Sequence, residues 1–489
     1  MQGAVIQRIL GQLLMLFSLT LLPPLLVGEY YAESDSFNTF GLAFLSAFIT
    51  GVVLWLPHRN QRADLRLRDG FLVVVLFWTV LGSFGALPLY FSNVIEVSLV
   101  DALFESLSGL TTTGATVLTG LDQLPASLLY YRQQLQWLGG MGIIVLAVAI
   151  LPMLGIGGMQ LYRAETPGPV KDNKLTPRIT ETAKALWYIY LFLTVVCAYA
   201  YWIAGMSFFD AVCHGFSTIA IGGFSTHDAN IAYFNSNAIE WVAILFMLIS
   251  GANFGLHFMA WRNRNFSAYL NDTEFRVYAV VLVGVSLLAA VILQNAQMFS
   301  DSFTLWTKAV FQVVSIGTTT GYTSSDFASW PTALPMLLIL LSFVGGCAGS
   351  TGGGMKVIRV LLLFKQGMRE LRRLVHPNGQ FAVKIGKKPV EGRVMEAVWG
   401  FLFAYLAIFL GMMLFLVATG LDHVSAYSAV AATLNNLGPG LGEVSQNYAS
   451  LSEVNKLMLC LGMLLGRLEI FTLLVIFTPF SGAIELLNN

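Results

Sequence analysis

The chain has 489 residues, of which 56% are hydrophobic and only 11% charged, and its mean hydropathy is +0.70. Soluble domains carry about a quarter of charged residues, so this composition excludes a soluble globular protein. The 27 basic and 27 acidic residues cancel to a net charge of zero, and four cysteines indicate no disulfide framework. The sequence therefore predicts an all-α integral membrane protein.

Ten apolar runs are long enough to cross a hydrocarbon core of about 30 Å. They lie near residues 6–28, 38–57, 71–91, 135–155, 186–205, 238–261, 276–294, 333–360, 395–418 and 456–481. The first two runs lie before the first of the four repeats described below, so residues 1–70 are predicted to form an N-terminal transmembrane hairpin. The first run has Arg8 at its start and no small-residue cleavage site, which favours a retained helix over a signal peptide.

A short segment with a glycine follows an apolar helical pattern four times, in SGLTTTGAT, STIAIGGFS, SIGTTTGYT and TLNNLGPGLG. The glycines recur about every 100 residues, as expected of an internal repeat. A small residue lies six positions before each glycine. The pairs are Ser108 and Gly114, Ser217 and Gly223, Ser315 and Gly321, and Ala432 and Gly438. The alternative is that small residues merely let membrane helices approach. The shared register favours four pore repeats, over residues 71–182, 183–273, 274–394 and 395–489.

The segments that end at these glycines have the chemistry of a cation filter. A short helix over residues 101–110 points its partially negative C-terminal end at the axis, which favours a cation. The next residues are predicted to run extended and to offer backbone carbonyls to a dehydrated ion, with glycine supplying the backbone freedom. The predicted filter comprises Thr111, Thr112, Thr113, Gly114, Ala220, Ile221, Gly222, Gly223, Thr318, Thr319, Thr320, Gly321, Asn435, Asn436, Leu437 and Gly438.

Basic residues set the orientation, because Lys and Arg near helix ends are retained in the cytoplasm. With the N-terminus inside, all but four of the 27 basic residues fall on the inner side. Those four are Arg132, Lys308, Lys456 and Arg467. The acidic outer loops either concentrate cations or are simply tolerated there. The basic inner loops at 156–183 and 361–394 either meet lipid headgroups or dock a cytosolic partner.

Two further features suggest a gate. Six glycines between Gly345 and Gly354 will not hold a straight helix, so a flexible loop or a packing kink is predicted there. The glycine spacing resembles a phosphate-binding loop, but Met355 and Lys356 stand where Lys and Ser or Thr are required. Arg467 is a charge inside a membrane helix, and Glu469 does not share its face. If Arg467 faces the pore, its charge raises the barrier to a cation.

Other function classes fit less well. A secondary transporter with alternating access would show inverted repeats and ionisable residues at the midplane, whereas these repeats are parallel and their filters neutral. An intramembrane enzyme would need a nucleophile–base pair or a metal cluster at membrane depth, and the sequence shows neither. No enzyme activity is therefore expected. A symporter can reuse channel architecture, so coupling to protons or sodium stays open.

The filter segments, together with GGCAGSTGGGMK, resemble the TrkH/TrkG family of potassium-uptake subunits, which is related to KtrB. The resemblance covers essentially the whole chain. It implies four M1–pore helix–M2 repeats around one pore, a homodimer in the bacterial inner membrane with both termini cytoplasmic, and a TrkA-type cytosolic partner that binds the regulatory nucleotide. Membrane lipid is a further expected partner, and binding of nucleic acid is not expected.

The same resemblance implies roles for individual residues. Potassium ions would bind at the positions three and two residues before each glycine, which are Thr111, Thr112, Ala220, Ile221, Thr318, Thr319, Asn435 and Asn436. Only Thr320-Gly321-Tyr322 keeps the Thr-Gly-Tyr of a strict potassium filter. The gate would comprise Arg467 and the glycine-rich loop, with Gly345, Gly346, Gly349, Ser350, Thr351, Gly352, Gly353 and Gly354. No organic cofactor is expected in this chain.

Overall fold

The computed structural model describes residues 3–61, 67–142, 179–386, 388–468, 470, 473 and 474. Almost all ordered structure in these residues is helical. The helices are α1 (Gly3–Leu19), α2 (Leu22–Tyr30), α3 (Leu42–Trp55), α4 (Leu67–Gly85), α5 (Leu87–Phe91), α6 (Leu99–Leu110), α7 (Ala126–Trp137), α8 (Ile179–Ile203), α9 (Phe208–Ala220), α10 (Asn237–Ser250), α11 (Phe254–Asn263), α12 (Ser267–Asn271), α13 (Thr273–Asn295), α14 (Ser302–Gly317), α15 (Leu334–Val344), α16 (Val357–Val375), α17 (Gly392–Ala418), α18 (His423–Leu434) and α19 (Glu453–Arg467).

Short elements complete the described part of the chain. The π-helical turns Phe37–Gly41 and Leu138–Gly142 extend α3 and α7, and several single 3-10 turns lie in the loops. Two two-residue strands, β1 (Lys384–Ile385) and β2 (Lys388–Pro389), pair antiparallel after α16. The predicted all-α membrane fold is confirmed.

Six stretches of helix are long and apolar enough to cross a membrane within the described residues. They are Gly3–Tyr30, Phe37–His58, Asp69–Phe91, Ala183–Ile203, Thr273–Asn295 and Gly392–Ala418. They correspond to six of the ten predicted spans. The predicted span 238–261 is bent by 90° between α10 and α11. The predicted spans 135–155 and 456–481 and the predicted loop 156–183 fall only partly within the described residues.

The N-terminal hairpin is held by close contact between two glycines. A Cβ atom added to Gly11 of α1 would lie 2.6 Å from the carbonyl oxygen of Gly51 on α3. Small residues allow this approach, which is how membrane helices gain packing energy without a hydrophobic driving force. Alanine at either position would push the two helices apart.

Four shorter helices, which we call the pore helices, follow the spans α4, α8, α13 and α17. They are α6, α9, α14 and α18, and they have 12, 13, 16 and 12 residues. At 1.5 Å per residue they reach about 18–24 Å, which is short of the membrane thickness. Each begins with a side-chain cap, from Ser98, Ser207, Asp301 or Asp422. The caps satisfy N–H groups that would otherwise be orphaned, and so fix where each pore helix starts.

Candidate ion filter and gate

All four pore helices end in the same turn. In the first repeat the N–H of Thr113 donates to the carbonyl of Ser108 at 2.8 Å, and the N–H of Thr112 donates to Gly109 at 3.0 Å. This pair of bonds is the Schellman motif, which closes the C-terminus of a helix. The equivalent outer bonds are Gly222 to Ser217, Thr320 to Ser315 and Leu437 to Ala432, at 2.7–2.8 Å. The small residue six positions before each glycine is therefore the acceptor of the closing bond.

This turn corrects one detail of the prediction. Thr111 and its three equivalents belong to the end of the helix or its cap, and the following residue is left-handed, so the extended conformation predicted from Thr111 onward is wrong for these two positions. The physical reason is that the last helical carbonyls need donors, and the filter's own N–H groups supply them. The left-handed residues, with φ between 51° and 68°, are Thr112, Ile221, Thr319 and Asn436.

Three of these left-handed residues are β-branched, which is rare because the branched side chain crowds the backbone there. The filter glycines are left-handed as well, with φ of 81°, 79°, 81° and 98° for Gly114, Gly223, Gly321 and Gly438. Strained backbone of this kind persists only where the surroundings over-determine it. The identical pattern in four copies makes it a built feature of the site.

The four segments form a closed ring, in which the carbonyl before one glycine abuts the glycine of the preceding repeat. A Cβ atom added to each filter glycine would come within 1.9–2.7 Å of that carbonyl oxygen. The pairs are Gly114 with Gly222, Gly223 with Thr320, Gly321 with Leu437, and Gly438 with Thr113. The order runs from repeat one through four and back to one. Residues that are about 100 positions apart are thus brought together around one axis, at the C-terminal ends of all four pore helices.

The ring is buried and carries no charged side chain. In the first and third repeats, hydroxyl pairs brace the turn, between Thr111 and Thr113 and between Thr318 and Thr320, each at 2.8 Å. In the fourth repeat the amide of Asn436 donates to the hydroxyl of Thr113 at 2.9 Å. Neutral oxygens at the negative ends of four helices can replace the hydration shell of a monovalent cation and repel an anion.

The second repeat is built differently. Gln136 of α7 donates from its amide to the carbonyl of Gly222 at 2.6 Å and accepts the N–H of Phe224 at 3.1 Å. A side chain from the neighbouring repeat thereby supplies the bracing that threonine hydroxyls supply elsewhere. Sequence reasoning missed Gln136, because nothing in the local pattern of α7 points to Gly222.

Three ion pairs link the elements around the ring, and they account for three of the basic residues on the outer side. Lys308 of α14 lies 2.5 Å from Glu240 of α10, and Lys456 of α19 lies 2.6 Å from Asp101 of α6. Each pair joins the second helix of one repeat to the pore helix of the next, and the second pair closes the circle from repeat four to repeat one. These lysines stay on the outer side because each has a carboxylate partner.

The third pair, Arg132 with Glu105, is the most deeply buried. Their charged groups lie 2.7 Å apart, and both side chains are 1% exposed. Glu105 also accepts the N–H of Val117 at 2.9 Å, and Arg132 donates to the carbonyl of Ser225 in the second repeat at 3.2 Å. Glu105 thus braces the segment that follows Gly114 through its hydrogen bond to Val117 and its pairing with Arg132.

The glycine-rich segment is a loop of 12 residues between α15 and α16, which we call the inner loop (345–356). It is therefore not the packing kink that the sequence also allowed. The N–H of Gly354 donates to the carbonyl of Asn435 at 3.0 Å, and the N–H of Gly353 donates to the hydroxyl of Thr319 at 2.6 Å. Thr351 donates to the carbonyl of Ile219 at 3.0 Å. The inner loop thus contacts the filter on the side where the pore helices end.

The ends of the inner loop are tied to α13. One carboxylate oxygen of Glu274 accepts the N–H of Ala348 at 2.7 Å and the N–H of Ile358 at 3.1 Å. The ammonium of Lys356 donates to the carbonyl of Gly352 within the loop, so this lysine is engaged in a way that differs from a phosphate-binding loop. Glu274 is a second residue that the sequence pattern did not reveal, since it appears only as a charge at the start of a helix.

Arg467 lies among backbone carbonyls at the end of α19. Its guanidinium donates to Gly139 at 2.6 Å, to Gly140 at 2.7 Å and to Thr351 at 3.1 Å. It also reaches the hydroxyl of Thr112 at 3.3 Å. Glu469, which the sequence analysis rejected as a partner, lies outside the described residues. Arg467 therefore places a positive charge where the inner loop and the first filter segment meet.

The predicted site residues fall into two connected groups. The filter residues of all four repeats form the ring, and Arg467 joins the ring and the inner loop through its contacts with Thr112 and Thr351. Within the part of the chain that the structure describes, no cluster of three or more His, Cys, Asp or Glu side chains is arranged to hold a metal ion. All four cysteines are buried and free.

Four short helices whose ends meet in an uncharged ring of backbone, inside a bundle of spanning helices, form the architecture of a multi-pass membrane transport protein. The comparisons with known proteins specify the class further. The family model of TrkH, described as a cation transport protein, matches residues 36–485, and the chain belongs to this family.

Individual relatives agree over almost the whole chain. The Trk system potassium uptake protein TrkH of Halomonas elongata is 58% identical over 97% of this chain and 98% of its own. The protein of the same name from Escherichia coli K12 is 56% identical, and the Escherichia coli TrkG protein is 41% identical, with the same coverage. The crystal structure of the potassium transporter TrkH from Vibrio parahaemolyticus superposes with a TM-score of 0.89, at 53% identity, and covers 98% of this chain and 99% of that one.

Proposed function

We propose that this protein takes up potassium ions across the bacterial inner membrane through the four-part filter. The observation that carries the proposal is the closed ring, in which four pore-helix ends and four left-handed glycines present the same backbone to one axis. Potassium is the cation named for the relatives that are 41–58% identical. Its sites are the filter positions three and two residues before each glycine, supported by the neutral, buried character of those residues.

We infer that the inner loop and Arg467 form the gate. The loop bonds to the filter through Gly353 and Gly354, and a fixed positive charge beside it opposes a cation. Opening would require the loop to leave the ends of the pore helices. The loop is continuous with α16, so a movement of α16 on the inner side would pull directly on it.

The partner on the inner side would be a TrkA-type cytosolic subunit that binds nucleotide. The end of α16 supports this, because it carries basic residues beside exposed apolar ones. Arg372 and Arg373 lie in its last turn, while Leu371 and Leu374 are 57% and 78% exposed. We further propose a homodimer with both termini cytoplasmic and surrounded by membrane lipid, on the basis of the family resemblance and the distribution of basic residues. The predicted repeat boundaries at 71, 183, 274 and 395 stand as part of the same proposal.

The decisive experiment is ion flux in liposomes that contain the purified chain. Potassium uptake and the reversal potential are measured under imposed potassium, proton and sodium gradients. A reversal potential that follows only the potassium gradient supports a channel-like route. One that shifts with the proton or sodium gradient supports the alternative, a potassium symporter. Empty liposomes and the Gly321→Ala variant serve as controls, and the proposal fails if the intact chain carries no more potassium than they do.

A further inference from the structure

The outer side of the filter holds a histidine whose two ring nitrogens both face carboxylates. His227 lies four residues after Gly223, outside the membrane-spanning helices. Its Nδ1 is 2.5 Å from Oδ1 of Asp122, and its Nε2 is 3.5 Å from Oδ1 of Asp210. A neutral imidazole has one N–H, so it can donate to only one of the two carboxylates. The imidazolium form can donate to both.

The two carboxylates belong to different repeats. Asp122 lies in the 3-10 turn Leu121–Gln123 of the first repeat, eight residues after Gly114. Asp210 lies in the first turn of the second pore helix, where its backbone N–H is capped by Ser207. His227 therefore bridges the outer turn of repeat one and the pore helix of repeat two.

The bridge is coupled to the filter by short, rigid contacts. Thr226 donates to Oδ1 of Asp210 at 2.7 Å, and the N–H of His227 donates to the hydroxyl of Ser225 at 3.2 Å. The carbonyl of Gly223 itself accepts the amide of Asn230 at 3.1 Å. The imidazole also stacks on the ring of Tyr233, with centroids 3.5 Å apart and planes within 7°. Ser225 and Thr226 thus link the imidazole and Asp210 to the segment that follows Gly223.

Two further titratable or charged groups near His227 have partners of their own. His214 of α9 uses its ring nitrogens on two neutral oxygens, the carbonyl of Asp210 and the hydroxyl of Ser225. Arg132 of α7, which reaches the carbonyl of Ser225, is paired with Glu105. The titratable or charged groups around the imidazole, from each element packed against it, are Asp122, Asp210, His214, Asp228, Tyr233 and Arg132.

We propose that His227 is a positioning residue for the filter, which holds repeats one and two together as an imidazolium and makes potassium affinity fall as the external pH rises. The inference rests on the proposed uptake of potassium. Burial lowers the pKa of His227, but the hydrogen bonds and charges of Asp210 and Asp122 outweigh it, so that the pKa is raised above its ordinary value. The bridge is therefore complete below the ordinary histidine pKa and is lost as the pH rises through the raised one.

The test is potassium uptake by the full chain in liposomes, with the internal pH clamped and the external pH varied from about 6 to about 9. For the natural protein the KM for potassium should rise by about threefold or more over this range, because one of the two contacts between the imidazolium of His227 and a carboxylate loses its charge. The His227→Gln variant should show the high KM at every pH. The His227→Arg variant, which stays charged, should flatten the profile.

His423, which is exposed at the start of the fourth pore helix, provides the matched control. The His423→Gln variant should keep the natural profile. If His227→Gln does not fold, Asp122→Asn replaces it, and the rise in KM should then begin at a lower pH because one carboxylate charge is gone. A pH-independent KM in the natural protein, or an unchanged rise in His227→Gln, overturns the inference while leaving potassium uptake intact. No uptake at any pH would instead contradict the proposed function.

Discussion

The filter ring and the elements on its inner side differ in their symmetry. In the ring, each repeat contributes the same closing turn and the same left-handed glycine. On the inner side, the third repeat alone contributes a 12-residue loop, and the fourth contributes Arg467. Under the proposed function, the features that all four copies share would pass the ion, whereas the features that single copies add would control it. The following predictions test that division.

The shared backbone should be the most sensitive part. In Gly321→Ala the new Cβ atom would lie 1.9 Å from the carbonyl oxygen of Leu437, in a residue with φ of 81°. The carbonyl must move by about 1 Å, which we expect to reduce potassium uptake about 100-fold. Rubidium or potassium influx into liposomes measures the effect. Gly284→Ala, where nothing lies within 4 Å of the new atom, is the control and should be silent. Normal uptake by Gly321→Ala would mean that the ring does not conduct.

The ion pair between Arg132 and Glu105 behind the ring should contribute mainly to the stability of the folded protein. Arg132→Met leaves Glu105 charged and unpaired in a site where both side chains are 1% exposed. We expect a loss of about 3–5 kcal/mol in the free energy of unfolding. The thermal unfolding midpoint in detergent reports it. The double variant with Glu105→Gln should recover part of the loss, and Arg262→Met, at an exposed position, should change nothing. A double variant as unstable as the single one would show that the pair is not the cause.

On the inner side, substitutions should raise flux and not lower it. Arg467→Ala removes the positive charge that contacts Thr351 and Thr112. We expect basal potassium flux, without a partner, to increase about tenfold, because a fixed positive charge near the ion path raises the barrier to a cation and tenfold corresponds to about 1.4 kcal/mol. Arg467→Lys, which keeps the charge, should lie between the two. Unchanged or reduced flux in a well-expressed Arg467→Ala protein would remove Arg467 from the gate.

The anchor of the inner loop should have the smallest effect. Glu274→Ala removes the acceptor of two backbone N–H groups, at Ala348 and Ile358. The loop becomes less fixed, and we expect basal flux to rise about threefold. Glu274→Gln keeps an acceptor oxygen and should behave like the natural protein, as should Glu396→Ala, which is exposed on α17. If Glu274→Ala closed the pore instead, the carboxylate would hold the loop open.

The repeated features could be predicted from the sequence, because a pattern that recurs four times can be recognised by comparing one part of the chain with another. The constant spacing of six positions between a small residue and each filter glycine can be read from the sequence. In the structure, the carbonyl of that small residue accepts the closing bond of the Schellman motif. The handedness of Thr112 and Ile221 was not visible, since propensity disfavours a left-handed β-branched residue and only the ring imposes it. Single features such as Gln136 and Glu274 were hidden, because their partners lie 86 and 74 residues away along the chain.

The contact of each filter glycine with the carbonyl of the next repeat has one more consequence. In an assembly of four identical chains, symmetry makes every substitution appear at all four contacts at once. In this chain each of the four contacts is formed by different residues of the sequence. The pairs are Gly222 with Gly114, Thr320 with Gly223, Leu437 with Gly321, and Thr113 with Gly438. Mutation can therefore change one quarter of the ring and leave three untouched. In a single chain with four fused repeats, each of the four contacts around the pore can therefore evolve independently of the other three.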